Sequence, residues 1–207
     1  MRVRPFERLP AAQALAAEAA ALDALAAGGP EALHLWEASG YAAVLPRSGS
    51  DASHLLRPES PGVEVIRRTS GGGSVVVGPG CLCYGLVLSL DRRPELLDVP
   101  RSYQTLLGAL AAELPGVTVA GSDLLAGDRK VAGHAQRRTR HGLLHHGAIL
   151  HDFDLPLITR TLREPRRRPA HRGPRTHDDF LANAPATRED LVAALETALT
   201  TMLKRDL

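Results

Sequence analysis

The chain has 207 residues, 44% of them hydrophobic but only 3% aromatic, and a formal net charge of +2. That length supports one full hydrophobic core, packed largely with small side chains around a few large fillers: Trp36, Tyr41, Tyr84, Tyr103, Phe153 and Phe180. That net charge is too small to argue for nucleic acid as a partner by itself. No window approaches the roughly 20 apolar residues of a membrane span, and no apolar stretch of a secretory leader follows the three arginines of residues 1–10. The only cysteines, Cys81 and Cys83, stand too close together for an ordinary structural disulfide, so a reducing, cytoplasmic location is expected.

In chain order, residues 11–27 are rich in Ala and Leu and read as a helix, ended by Gly28-Gly29-Pro30. Residues 33–36 and 41–45 read as short strands around Ala38-Ser39-Gly40. Residues 63–66 alternate like a strand; 74–77 and 82–90 are strand-like, with Gly78-Pro79-Gly80 as the turn between them. A helix over 103–114 closes at Pro115-Gly116, and strands follow at 117–120, 123–126, 130–135 and 143–150. Residues 154–162 suggest a short helix, and 176–181 the start of another. Between them, 163–175 has no apolar period and reads as an ordered surface loop. Thr187-Arg188-Glu189-Asp190 resembles an N-terminal cap before a last helix at 191–204. Residues 1–10 carry no element in this reading. Strands in the middle and helices around them give an α+β fold, a mixed, largely antiparallel sheet flanked by helices, as a single domain over residues 1–207.

Two stretches carry chemistry. Arg67-Arg68-Thr69-Ser70-Gly71-Gly72-Gly73-Ser74 is a paired-cation, triple-glycine turn. It is not a P-loop, because Pro79-Gly80 stands where Lys-Ser/Thr should follow the glycine spacing of Gly73 and Gly78. It is not a dinucleotide turn, because Val76 takes the place of the last glycine and a strand follows rather than a helix. A glycine turn between strands still lets backbone amides approach an anion closely, and Arg68 beside it can hold a carboxylate or phosphate in bidentate fashion. By itself this turn is equally well a tight hairpin with solvated arginines. The second stretch, Gly127-Asp128-Arg129-Lys130-Val131-Ala132-Gly133-His134-Ala135-Gln136, holds one of two lysines in a chain with 23 arginines. A lysine is a compact point charge able to serve a carbonyl and a phosphate together. An exposed lysine on a turn is the competing reading.

Together with Ser122-Asp123-Leu124 and Leu144-His145-His146-Gly147-Ala148-Ile149-Leu150, these stretches resemble the signature of lipoate–protein ligases and the related octanoyltransferases. In that family the patterns read RRxSGGG, N-D-L, G-x-K-x-x-G-x-A and HHGT-L-L, in this order. The resemblance spans roughly residues 33–185. It implies the catalytic fold shared with biotin–protein ligases and related to class II synthetases. It also implies activation of lipoate or octanoate by ATP with Mg2+, then transfer of the acyl group to a lysine of a lipoyl domain. The acceptor would be a 2-oxoacid dehydrogenase E2 or a glycine cleavage H protein. On the same resemblance, Lys130 is catalytic and contacts acyl carbonyl and phosphate. Arg68, Gly71, Gly72 and Gly73 hold phosphate and acyl groups, and Ser74, Val75 and Val76 line the nucleotide side. Asp123 sits near the adenylate or its magnesium, and Gly133, His146 and Gly147 complete the site. No accessory C-terminal domain is expected, and a separate accessory chain is a further candidate partner.

Several positions depart from that pattern. Pro46 stands for a glycine, Gly49 and Asp51 for a Gln-Asn pair, Ser122 for the asparagine before Asp123, and Cys81 for an asparagine. These keep open a degenerate, ligand-binding member. An ATP-independent transferase would use a cysteine thioester. The positions where relatives carry that nucleophile hold Leu143 in one class and no cysteine in the other, which favours the ATP-dependent route; Cys81 and Cys83 are expected as buried strand residues. The histidines 134, 141, 145, 146 and 151 lack metal-ligand spacing. His145 and His146, adjacent in a strand, should point to opposite faces. One histidine before Gly147 is expected near the pocket and the others at the surface. The six arginines of residues 163–175 suit a solvated loop, an acidic acceptor domain or phosphates, though no aromatics interleave for base stacking.

Overall fold

The computed structural model describes residues 1–48, 56–57 and 62–204, with the backbone alone for 202–204. Seven strands form a sheet in the order β1-β2-β6-β10-β9-β8-β7. They are β1 (Arg2–Leu9), β2 (Ala32–Ala38), β6 (Cys81–Ser89), β10 (Gly142–Leu150), β9 (Arg129–Arg138), β8 (Asp123–Ala126) and β7 (Val117–Ala120). Only β1 and β2 run parallel; every other neighbouring pair is antiparallel. A second sheet of three strands has β3 (Ala42–Leu45) in the centre, parallel to β4 (Glu64–Arg67) and antiparallel to β5 (Val75–Val77).

The central strands β6 and β10 are buried along most of their length, because both faces of the large sheet are covered. On one face lie α2 (Val99–Ala112) and α5 (Arg188–Lys204), packing Leu106, Leu107, Leu110, Leu191 and Leu195 against Leu86, Leu88, Leu124 and Leu143. On the other lies α1 (Ala11–Ala26), which sets Ala14, Leu22 and Leu25 over β2, β6 and β10. The small sheet, α3 (Leu155–Thr161) and the short α4 (His177–Phe180) complete that side.

Local signals explain the element ends. Asp98 caps α2 by accepting from the Arg101 N–H at 2.8 Å, with proline in the first turn. Thr176 and Asp179 form a reciprocal capping box on α4. Thr187 and Asp190 do the same before α5, their side chains each accepting from the other's backbone N–H at 3.2 and 3.0 Å. Strand β1 is the element that sequence reading did not find. It carries Arg2, Arg4, Glu7 and Arg8 with Pro5 among them and shifts register between Arg4 and Glu7. Charge, proline and a bulge all suit an edge strand, where they discourage pairing with another chain.

Candidate functional site

A cavity of about 170 Å³ lies among α1, the small sheet and the adjoining face of the large one. A cavity of roughly 150 Å³ suffices for benzene, so this space admits a compact acyl tail or ring. Leu15, Trp36, Val44, Val77, Cys83 and Ala148 give it an apolar wall; Arg68, Ser74, Asp123, Lys130, His146 and Glu18 supply the polar one.

Arg68 is placed there by topology. Strands β4 and β5 lie on opposite edges of β3, so residues 68–74 must cross the end of β3 rather than close a hairpin. Arg68 is only 6% exposed. It donates through Nε to Ser70 Oγ at 2.8 Å and through Nη2 to the carbonyls of Gly71 and Gly73, the latter at 2.8 Å. Burial pulls its pKa down to about 10, which leaves it a cation at neutral pH. Among the described residues no carboxylate lies within ion-pair distance of it. A buried charge held by dipoles alone is expensive until an anion joins it. Gly72 is required in the turn: its φ is +97°, and a Cβ there would stand 3.0 Å from Arg68 Nη2.

Ser70 belongs to a second chain of hydrogen bonds. Glu18 Oε2 meets His146 Nδ1 at 2.8 Å, and His146 Nε2 meets Ser70 Oγ at 2.6 Å. With the carboxylate taking the Nδ1 proton, the serine hydroxyl donates to Nε2. Carboxylate, imidazole and hydroxyl in this order have the geometry of a nucleophilic triad. Ser70, however, is 1% exposed, does not line the cavity, and accepts from Arg68. The chain therefore braces the glycine turn against α1, and Trp36 Nε1 fixes the other Glu18 oxygen at 2.8 Å.

Lys130 enters from β9. Its Nζ pairs with Asp123 Oδ1 at 2.8 Å, and Asp123 Oδ2 meets His171 Nε2 at 2.9 Å. Gly133 makes room for the lysine, since a Cβ there would lie 2.7 Å from Nζ; this close approach is the physical reason for the K-x-x-G spacing. The segment bearing His171 is held by its own arginines. Arg172 and Arg175 lie 5.1 and 4.9 Å from the Phe180 ring centroid. Arg172 also pairs with Glu164 at 2.6 Å and Arg175 with Asp128 at 2.9 Å. Ala182 N donates to Lys130 O at 2.9 Å, tying the same region to the lysine strand. Residues 163–175 are thus the ordered surface segment expected, and two of their arginines are structural clasps rather than free charges.

The profile of the lipoyl protein ligase A/B catalytic domain matches residues 10–192. The chain belongs to this family. Its members are protein-lysine acylating enzymes, and solved structures agree on the fold. A lipoate-protein ligase A bound with ATP superposes with a TM-score of 0.78 at 20% identity, covering 98% of this chain and 85% of that one. A putative lipoate protein ligase from T. acidophilum with bound lipoic acid gives 0.75 at 20% identity, over 99% and 87%. The biotin protein ligase from Leishmania major, in complex with biotinyl-5-AMP, gives 0.55 at 12% identity, over 99% and 75%. The α+β class read from the sequence is the observed one.

In this lipoate-ligase-family chain the cavity brings together Arg68, Gly72, Gly73, Ser74, Val75, Asp123, Lys130, Gly133, His146 and Gly147. Two residues expected there are elsewhere. Gly71 does not line the cavity; its carbonyl serves Arg68. Val76 points into the core, 2% exposed, because strand alternation gives the cavity to Val75 and Val77. Histidines 134, 141, 145, 146 and 151 are not mostly at the surface: His145 is 1% exposed, and of these five only His141, paired with Asp91, is exposed. His145 does not line the cavity and stacks its ring on that of His134 at 5.5 Å and 12°, while His134 does line it, its buried Nε2 without a partner among the described residues. Ser122 lines the cavity and its carbonyl accepts from His134; Pro46 O accepts from Arg67 at 2.6 Å. Gly49 and Asp51 lie outside the described residues. Sequence reading missed Leu15, Glu18 and Val44 as lining residues. Glu18 alone carried a signal, a carboxylate at a buried position of an alanine-rich helix.

Proposed function

We propose that this protein activates lipoate or octanoate with ATP as the acyl-adenylate and passes the acyl group to a lysine of a lipoyl domain, on a 2-oxoacid dehydrogenase E2 or a glycine cleavage H protein. The observation that carries this reading is the buried Arg68 cation, without a carboxylate partner among the described residues, on the same small cavity as Lys130. A free carboxylate resists attack by an amine. As a mixed anhydride with AMP it has a good leaving group, and fixed cations stabilise the charge that develops. Arg68, with the backbone of Gly72 and Gly73, faces the phosphate. Lys130 polarises the acyl carbonyl, and the wall of Leu15, Trp36, Val44 and Val77 takes the tail.

Magnesium enters this reading only as the companion of the nucleotide's own phosphates. Both Asp123 oxygens are already engaged, and among the described residues no three His, Cys, Asp or Glu side chains are grouped to hold a metal. No step is assigned to it. A thioester route would need a reactive thiol; Cys83, the one cysteine on the cavity, has its pKa pushed up by burial, then by its contacts with Cys81.

The test is intact-mass analysis of an apo-lipoyl domain incubated with this protein. Acylation that requires both ATP and free lipoate or octanoate supports the proposal. Acylation from octanoyl-carrier protein without ATP replaces it with the transferase, and no acylation from either donor replaces it with a binding protein.

A further inference from the structure

We propose that Ala148 and Cys83 set the length of acyl chain this protein takes, as two successive marks along the floor of the cavity. The inference deepens the acylation reading above and rests on its placement of the acyl carbonyl at Lys130.

The strand registers lay one row across the large sheet. Asp123 on β8 pairs with Gly133 on β9, Gly133 with Ala148 on β10, Ala148 with Cys83 on β6, and Cys83 with Trp36 on β2. Residues paired across strands share a face of the sheet, and all five line the cavity. The row is therefore the cavity floor, and it runs across the strands. Its two ends differ. At the β8 end stand the charges: a Cβ on Gly133 would lie 2.7 Å from Lys130 Nζ, which pairs with Asp123 at 2.8 Å. At the β2 end stands Trp36, 2% exposed, its Nε1–H donating to Glu18 at 2.8 Å. Between the ends, Gly133, Ala148 and Cys83 offer a hydrogen, a methyl and a thiol-bearing methylene. Small side chains between two filled ends make a trough. A tail leaving a carbonyl at Lys130 meets the Asp123 carboxylate in one direction and this trough in the other.

The strand spacing converts position into carbon number. Neighbouring strands lie about 4.8 Å apart, and an extended chain with C–C bonds of about 1.5 Å advances about 1.3 Å per carbon. A carbonyl over Gly133 thus brings about the fourth or fifth carbon over Ala148 and about the eighth over Cys83. An eight-carbon acid ends there, against Trp36. Where the family pattern HHGT has threonine, this chain has Ala148, so the first mark is shallower by a methyl and a hydroxyl.

Calorimetric binding of butanoate, hexanoate, octanoate and decanoate to the whole protein, without ATP, tests the marks. In the wild type each added methylene should tighten binding about fourfold up to octanoate and not beyond. Filling a mark should move that break. In Ala148→Leu the gain should stop at butanoate, so the octanoate-to-butanoate affinity ratio falls by about 10²-fold. In Cys83→Leu the gain should stop at hexanoate, and the octanoate-to-hexanoate ratio falls by about 10-fold. If a melting curve shows that leucine at 148 prevents folding, Ala148→Val should show the same order. Breaks that stay at octanoate in both variants, that coincide, or that come in the reverse order overturn the proposal. So does a wild type that binds none of the four acids. The acylation assay decides the proposed function separately. Ordered breaks without acylation refute that function and leave the marks standing; acylation with unmoved breaks does the reverse.

Discussion

His145 and His146 are neighbours in β10, yet they belong to different chemistries. His146 faces α1 and the cavity, where it links Glu18 to Ser70 and so to Arg68. His145 faces α2, where its Nε2 meets Tyr84 Oη at 3.1 Å and its Nδ1 meets Gln136 Nε2 at 3.2 Å. Arg138 and Ser102 extend that second network through Gln136. Burial first, then the neighbouring imidazoles, hold His145 well below the ordinary histidine range, and burial takes His134 down to about 4. On one face of the sheet His145, Tyr84, Gln136, Ser102 and Arg138 thus bond to one another. The other keeps two cations around a hollow. A connected hydrogen-bond network rigidifies a core, while an uncompensated cation invites a ligand. The difference assigns stability to the one face and ligand chemistry to the other.

Substitutions on the cavity face should therefore abolish activity with little effect on folding. Lys130→Ala should lower lipoyl-domain acylation by about 10³-fold, the scale of losing one preorganised charge, with an unchanged melting temperature; substantial turnover would remove the lysine from the chemistry. Arg68→Lys should cost about 10²-fold in the same assay, since an ammonium cannot reproduce the guanidinium's bonds to Ser70, Gly71 and Gly73. Gly133→Ala should cost about 10- to 10²-fold by displacing Lys130 Nζ, with kcat falling more than KM rises.

The opposite face should respond in stability instead. His134 folds with its pKa below the ordinary 6.5, so the unfolded chain binds its proton first. Its contribution is complete above that value and is lost as pH falls from 6.5 toward 4. Urea unfolding at pH 7.5 and pH 5 should show a drop that is smaller by about 1–2 kcal/mol in His134→Gln. A variant with the wild-type pH slope would contradict the buried-neutral assignment. The smallest effect belongs to the thiols: Cys81→Ser and Cys83→Ser should retain activity within about threefold, costing only the burial of a hydroxyl, about 1–2 kcal/mol of stability. Loss of acylation in either would bring back a thioester.

Much of this contrast is legible in the chain. The glycine turn, the lysine spacing and the His-His-Gly run sit on one sheet because β6, β9 and β10 alternate regularly and their turns are marked by Gly and Pro. Adjacent histidines in a strand must diverge, and they do. The errors come from tertiary context. The family resemblance puts Val76 on the nucleotide side, whereas the pleat sends it inward. Residues 1–10 carry no element in the sequence reading because an edge strand has no need of an apolar face. The role of Glu18 was not legible, because a carboxylate in an alanine-rich helix does not say locally that it will meet a histidine 128 residues later. The arginines of 163–175 looked like a charge run until Phe180 gave Arg172 and Arg175 a surface to stack on.

A structure of the protein with a non-hydrolysable lipoyl-adenylate analogue tests the central claim most directly. The account predicts the phosphate beside Arg68 and the glycine turn, the acyl carbonyl within hydrogen-bond reach of Lys130 Nζ, and the tail against Trp36 and Val77. An analogue bound away from this cavity, or bound within it with Lys130 still turned wholly to Asp123 and Arg68 untouched, would contradict it.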